Sequence, residues 1–393
     1  MKGMLENTKV LDFTFNVAGP TASAELADYG ATVIKIEKPS GSEERNFAPM
    51  VEGKSLSYCW LNRGKKSVTL NLKDPEAIKV IYKLVEETDV LVESFRPGVM
   101  DKLGLGYERL SKINPGLVYC SVSAYGQKGP YAHKPGYDII AQAVSGMMSV
   151  TGEKNGSPMK HGTALADFFS GVAAYGSIMT ALYHKEKTGE GQHVDISLVR
   201  GMIHLNSTID RLNEGVVVGR FGNHFNSLAP FGLFNGKEGQ SIILAAPSNS
   251  MFEKLCTVMN RSDLMQDERF NGVQKRANNQ DELIIEIENW LNTFDDIKVA
   301  LDQLDAMGIA SCKVYDSKDV YADEHIMGQK WVVNAPTPDN FTQKTYITRG
   351  PLAEFSKTPG EIRKAATLGE HNQEVLGGLG LTSSDIEAIS KDN

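Results

Sequence analysis

Cysteine is scarce in this chain: Cys59, Cys120, Cys256 and Cys312 are the only four in 393 residues. They stand apart, with no Cys-x-x-Cys pair and no histidine pair beside them. Neither a disulfide framework nor a zinc site is therefore written here, and reduced, buried thiols are expected. No tract of clustered Lys and Arg occurs, and the formal net charge is −8. That balance argues against a nucleic-acid or anionic-membrane partner, since both attract cationic faces. No run approaches about 18 consecutive apolar residues. The opening MKGMLENTKVLDF lacks the basic end, apolar stretch and small-residue cleavage site of a secretory signal. A cytoplasmic location with no membrane partner is the expectation.

Several chemical fingerprints are also missing. A dinucleotide site needs GxGxxG directly after the first strand, so that a pyrophosphate can approach backbone N–H groups at a helix start. The first strand here is followed instead by Asn16-Val17-Ala18-Gly19-Pro20, and Gly104-Leu105-Gly106 is a GxG without its third glycine. No GxxxxGK[ST], HExxH, GxSxG or spaced acidic calcium loop is present, which removes the commonest ATPase, metalloprotease and serine-hydrolase readings.

What is present is an ordinary globular composition, 41% hydrophobic. That is enough for a large core and, at roughly 100–200 residues per domain, for two lobes. Residues 8–14 and 31–37 have strand patterns, with helical spacing of Ala22, Leu26 and Tyr29 between them, which makes one βαβ unit. A helix over 75–87 and strands at 89–93 and 117–123 continue the alternation, as a parallel sheet with covering helices requires. The first lobe is predicted to be a Rossmann-like, doubly wound α/β domain. Beyond Arg200 the texture changes. Gly, Asn and Pro cluster through 219–232, followed by a strand pattern at 241–246 and amphipathic helices around 250–260 and 281–291, which predicts a smaller α+β domain. Thr382-Ser383-Ser384-Asp385 supplies good N-cap residues for a last helix.

A set of motifs runs through this framework in a fixed order. The stretch AGPTASAELADYGATVIKIE at 18–37 is followed by NLK at 71–73, SFRPG at 94–98, SAYGQKGP at 123–130 and GYDIIAQ at 136–142. ADFFSG at 166–171, TGEGQHVDISL at 188–198, GIA at 308–310 and LGEH at 368–371 complete the series. Together they resemble the class III CoA-transferase family, the family of formyl-CoA and carnitine CoA-transferases, which shares a superfamily with the 2-methylacyl-CoA racemases. The resemblance spans nearly the whole chain. It implies a large domain over 1–200, a small domain over 225–330 and a segment, 331–393, that returns to the large domain. It also implies a homodimer in which two chains interlock like rings.

The resemblance makes Asp167 the catalytic residue, exchanging CoA between an acyl-CoA and a small carboxylic acid. The chemistry suits the residue type. A carboxylate can attack a thioester to give a mixed anhydride, and the released thiolate can return to form an aspartyl-CoA thioester. Thioester energy is conserved, so no ATP, metal, flavin or nicotinamide is called for, and CoA enters only as a substrate. Asp167 directly precedes the apolar run at 168–183, and a helix N-terminus there is expected to favour the anionic carboxylate. The alternative reading of the residue by itself is a plain N-cap.

CoA requires cations for its phosphates, an apolar or aromatic surface for adenine, and polar main chain for its amides. By position in the family motifs, Val17 and Ala18 lie beside the CoA arm and Lys38 near the phosphates. Leu70, Asn71, Leu72, Lys73, Ser94, Phe95 and Arg96 surround the nucleotide, Lys102 follows on the next helix, and Tyr137 and Asp138 belong to the same binding set. The chain departs from some members at Val17, where they carry glutamine, and at Lys38 and Lys102, where they carry arginine. Oxyanion help at position 17 must then come from backbone N–H groups. The glycine-rich loop of the formyl-CoA–oxalate enzymes has no counterpart in 219–232.

The racemase branch stays open as an alternative. It needs an acid and a base on opposite faces of an enolate, and a histidine of its GHD-type motif supplies one of them. Tyr137 stands at that position here, and a phenol of pKa about 10 is a poor base at neutral pH. His161 and His133 are the nearby histidines, and His161 could line the site. A CoA hydrolase and a non-catalytic CoA-binding protein are further readings, the second weakened by the retention of Asp167. Substrate choice is expected from the surroundings of Asp167, from 136–142, and from Phe221, His224, Phe225 and Phe231.

Overall fold

The chain is described from residue 3 to residue 391 in a computed structural model. It divides into two compact units: one holds the chain up to Met147, Lys160–Asp210 and the chain from Glu324 onward, and the other holds Met148–Met159 and Arg211–Asp323.

The larger unit is built on six parallel strands: β1 Lys9–Phe13, β2 Thr32–Glu37, β3 Lys66–Thr69, β4 Val90–Glu93, β5 Val118–Ser123 and β6 His193–Ser197. Their spatial order is β3-β2-β1-β4-β5-β6, so chain order reverses between β1 and β4. All pairings are parallel, and parallel strands of this kind are covered on both faces. Their side chains alternate accordingly. Val10, Val90, Val92, Val118 and Cys120 enter one apolar cluster, while Leu11, Phe13, Leu91, Leu117 and Tyr119 enter the other. Each fully buried aliphatic side chain of this kind contributes about 1.5–3 kcal/mol.

Helix α1 (Ala18–Asp28) follows β1 and is buried at every position. It lies between the sheet and the long helix of the unit. Helix α2 (Pro75–Glu86) covers the opposite face. Asp74 caps its N-terminus, accepting from the Glu76 N–H, and proline occupies the first turn, where its missing N–H costs nothing. After β5 come α3 (Asp138–Val144), the 24-residue α4 (Leu165–Thr188) and, beyond β6, α5 (Leu198–Leu205). By length and composition α4 is long and apolar enough to cross a bilayer. Its buried residues Ala166, Ser170, Gly171, Ala174, Ile178 and Ala181 recur at helical spacing and pack against α1 and the sheet, the pattern of a core helix. A Cβ on Gly171 would stand 2.8 Å from the Ala18 carbonyl oxygen and 2.7 Å from Thr21 Cβ, so only glycine permits this α1–α4 approach.

The smaller unit carries an antiparallel sheet of β7 (Phe231–Asn235), β8 (Ser241–Ala245) and β9 (Ala310–Lys313), with β8 in the middle. Ile242 and Leu244 point inward against α6 (Asn249–Val258), α7 (Gln280–Leu291) and α8 (Ile297–Ala306), while Ile243 between them is exposed. Cys59, Cys120 and Cys256 are buried thiols, but Cys312 is exposed. The expectation of four buried thiols fails there because Cys312 sits on an edge strand of a sheet covered on one face only.

The C-terminal part of the larger unit begins with a hairpin of β10 (Val332–Pro336) and β11 (Thr345–Arg349). It ends in α9 (Asn372–Gly377) and α10 (Ser383–Ile389), the latter opened by Thr382 in a capping box with Asp385. Asn372 Oδ1 accepts from the Thr69 N–H at 2.8 Å and His371 Nδ1 from the Ser67 N–H at 3.3 Å. The returning segment thus satisfies the open edge of β3, which would otherwise offer unpaired donors.

Candidate active site

Open α/β sheets bind ligands beyond the carboxyl ends of their strands, where the strand order reverses. Here a cavity of about 240 Å³ lies at that place. Phe15 and Asn16, which leave β1, form one wall, and Ser94, Phe95, Arg96 and Pro97, which leave β4, form another. The two turns are tied together: the Phe15 N–H donates to Ser94 Oγ at 2.9 Å, and the rings of Phe15 and Phe95 meet edge to face at 5.3 Å. Asn16 holds a left-handed backbone, φ 63°, which asparagine tolerates better than most residues.

A buried charge set underlies the first turn. Asp12 on β1 accepts from the Thr14 N–H and hydroxyl and from Ser23 Oγ, and pairs with Lys65 at 2.8 Å. Lys35 on β2 donates to the Thr14 carbonyl at 2.8 Å. Burial opposes ionisation of Asp12, yet Lys65 and Lys35 outweigh it and hold the carboxyl at about 2. The residues leading into the cavity are thereby fixed from below. On the neighbouring strand, burial pushes Glu93 up to about 7, and its carboxyl group accepts the Phe95 N–H at 2.8 Å.

Asp167 reaches the cavity from the first turn of α4. It is not the cap of that helix: Ala164 holds the N-cap position and has no side-chain oxygen to offer. The capping oxygen comes from another helix. Asp138, the first residue of α3, accepts from the Ala166 N–H at 2.7 Å and the Asp167 N–H at 3.3 Å. Burial and then the Asp138 charge push Asp167 up to about 7. The expectation that the helix N-terminus would favour the Asp167 anion is therefore corrected, because the amides that would favour it are occupied by a second carboxylate. No hydrogen bond to the Asp167 side chain occurs among the described residues.

Of the sequence-derived candidates, Ala18, Ser94, Phe95, Arg96, Tyr137 and Asp167 converge on this cavity. Val17 turns away into an apolar cluster with Trp60 and Phe168. Leu70 and Leu72 pack into the core on the α2 face of the sheet. Asn71 donates from its N–H to Ile389 O and from its side chain to Lys391 O. Lys38, Lys73 and Lys102 are exposed surface side chains. His161 is exposed, outside the cavity lining, with Nδ1 engaged by Thr163. In the smaller unit Phe225 stacks on Phe231 at 4.6 Å and His224 meets Phe234 edge-on.

Sequence reasoning missed Phe15, Asn16, Gly19, Glu43 and Lys134, all of which line the cavity. The first three adjoin the Val17-Ala18 pair and could have been found from it. Glu43 and Lys134 arrive on turns with no local signal. The lining has the groups an acyl-CoA needs. Arg96 and Lys134 are cations, Phe95 and Tyr137 offer aromatic surface, and the first turn of α1 presents main chain at Ala18 and Gly19.

Comparison with known proteins agrees with this chemistry. The family model described as CoA-transferase family III matches residues 5–372. The human protein named succinyl-CoA:glutarate CoA-transferase is 33% identical over 389 residues, covering 95% of this chain and 85% of that one. The Acetobacter aceti protein named acetyl-CoA:oxalate CoA-transferase is 39% identical over 295 residues, covering 74% and 76%. A crystal structure of a CAIB/BAIF family protein from Brucella suis superposes with a TM-score of 0.85 at 32% identity, covering 96% of this chain and all of that one.

Proposed function

The chain belongs to CoA-transferase family III and is an enzyme of that class, and on that premise we propose that Asp167 is the covalent carrier of CoA between an acyl-CoA and a carboxylic acid. One observation carries the reading: the Asp167 carboxylate faces the cavity at the reversal of strand order and accepts no hydrogen bond among the described residues. Its pKa of about 7, raised by burial and by Asp138, makes it a stronger nucleophile than an ordinary carboxylate. The cavity is too small for the whole of CoA, so it takes the acyl end of the thioester. The nucleotide lies outside, toward the side marked by Arg96 and Lys134.

The cycle balances without a cofactor. An Asp167 oxygen attacks the thioester carbonyl, the C–S bond breaks, and CoA leaves as thiolate from a mixed anhydride. The thiolate attacks the Asp167 carbonyl carbon, expels the acyl group as its carboxylate and leaves an aspartyl-CoA thioester. An incoming carboxylate reverses both steps: it displaces the thiolate to form a new anhydride, and thiolate attack on the acyl carbon returns Asp167 as carboxylate. Bond energy passes from thioester to thioester, with no net proton released. The acceptor class is a short dicarboxylic acid, since glutarate and oxalate appear in the names of the relatives. A homodimer belongs to the same proposal, supported by Val172 and Tyr183, apolar residues exposed along α4. Light scattering of a monomer at micromolar concentration would count against it.

Intact-protein mass spectrometry after incubation with acyl-CoAs, followed by hydroxylamine or borohydride, tests the carrier, with Asp167→Ala as control. A trapped modification on the peptide containing Asp167 supports the cycle. Absence of any adduct, together with deuterium exchange at the α-carbon of a 2-methylacyl-CoA, would favour racemisation instead.

A further inference from the structure

We propose that Asp138 is a positioning residue that takes over the capping of α4, leaving the side chain of Asp167 free for chemistry, and that it does not contact CoA. This rests on the reading of Asp167 as nucleophile and adds to it a residue that acts only through Asp167.

An acidic residue at the third position of a helix normally folds back onto the N-cap backbone N–H, as Asp385 does toward Thr382 in α10. Asp167 holds that third position in α4, yet its carboxylate is not spent there. Asp138 Oδ1 takes the Ala166 and Asp167 N–H groups, the two that an N-cap oxygen would accept. Its second oxygen accepts from Gln142 Nε2 at 2.6 Å, one turn further along α3. Gln142 is 2% exposed and its Oε1 accepts from the His161 N–H at 2.8 Å. Both oxygens of Asp138 are thus committed to protein donors, and the same side-chain pair pins the 161–167 turn at both ends. A carboxylate so engaged has little left for a ligand.

The arrangement has an electrostatic consequence. Asp138 is the charged neighbour that bears on Asp167, and it raises that group's affinity for a proton. Glu43, Arg96, Lys134 and Tyr137 line the same cavity from the other elements.

The test compares Asp138→Asn with Asp138→Ala. Asparagine keeps an acceptor oxygen at the cap, gives up the bond from Gln142 Nε2 and removes the charge, so the acid limb of its kcat profile is expected to move down by about one pH unit. Alanine removes both and is expected to lower the rate of adduct formation at least about tenfold. It should also speed amide hydrogen exchange at 165–168, while CoA affinity by calorimetry stays within about twofold in both variants. A loss of CoA affinity greater than about tenfold in Asp138→Asn, with an unmoved pH profile, overturns the proposal. Hydrogen exchange needs no activity, so faster exchange in Asp138→Ala supports the cap even if wild type forms no Asp167 adduct, an outcome that sinks the nucleophile reading alone. Unchanged exchange overturns the cap.

Discussion

The hydroxyl of Ser94 accepts the Phe15 N–H at 2.9 Å across the gap between β1 and β4. The same hydroxyl donates back to the Phe15 carbonyl oxygen at 3.4 Å, so one side chain ties together the two turns flanking the cavity. Replacing Ser94 by alanine leaves that N–H without its partner, a loss of about 1 kcal/mol. The expected result is a fall of a few degrees in Tm and a several-fold rise in KM for acyl-CoA, with a smaller change in kcat. An unchanged KM would mean that the Phe15–Phe95 ring contact alone holds the two turns in place.

Gly171 and Gly176 lie on the same helix and should respond oppositely to alanine. At Gly171 the added Cβ meets Thr21 and the Ala18 carbonyl below 3 Å, whereas at Gly176 nothing lies within 4 Å. Gly171→Ala is expected to destabilise by about 1–3 kcal/mol through overpacking. It should also slow CoA exchange, because it pushes Ala18 and Asp167 apart. Gly176→Ala is expected to stabilise by up to about 1 kcal/mol through helix propensity. Denaturant melts of both variants beside activity decide the matter, and equal effects would mean that the α1–α4 approach is looser than its geometry indicates.

Much of the sheet was readable from residues, and the failures share a physical cause. The strands at 9–13, 32–37, 90–93 and 118–123 announce themselves by apolar runs, as doubly covered strands do. Strands β3 and β6 do not: Lys66 and His193 open short segments whose polar residues find partners only in the fold, Ser67 in Glu37 and His193 in Ser121. The buried set of Asp12, Lys35 and Lys65 is equally silent in sequence, since charge normally marks surface. At the site, Asp167 and the wall residues 94–96 could be found because motif and wall coincide. Asp138 was placed in the CoA-binding set by its motif, and its capping of α4 was not legible, since a cap supplied by another helix has no sequence spacing of its own. Residues 148–159 join the smaller unit although they lie far from it in the chain, and no local pattern announces that either.

Asp167 should cost the fold stability at neutral pH, and the sign follows from its proton affinity. Asp167 in the folded protein is pushed up to about 7 from an ordinary value of 3.8, by burial and by Asp138. Between those pH values the folded state binds a proton that the unfolded chain has released, so stability from this group declines as pH rises through the window. Above about 7 the penalty is complete; below the unfolded value both states are protonated and it vanishes. Asn at this position has no proton to lose. Asp167→Asn is therefore expected to abolish exchange and yet be more stable than wild type at pH 8, by an amount on the order of 1–2 kcal/mol once screening by solvent in the cavity is allowed for. The advantage should shrink steadily toward pH 4, and activity of the wild type should follow the same trend, falling as pH drops through about 7. Urea melts of both proteins across that range supply the test. An Asn variant with the same small offset at every pH would show that the Asp167 carboxylate is well solvated in the folded protein, and the acid limb of the rate profile would then have to come from another group.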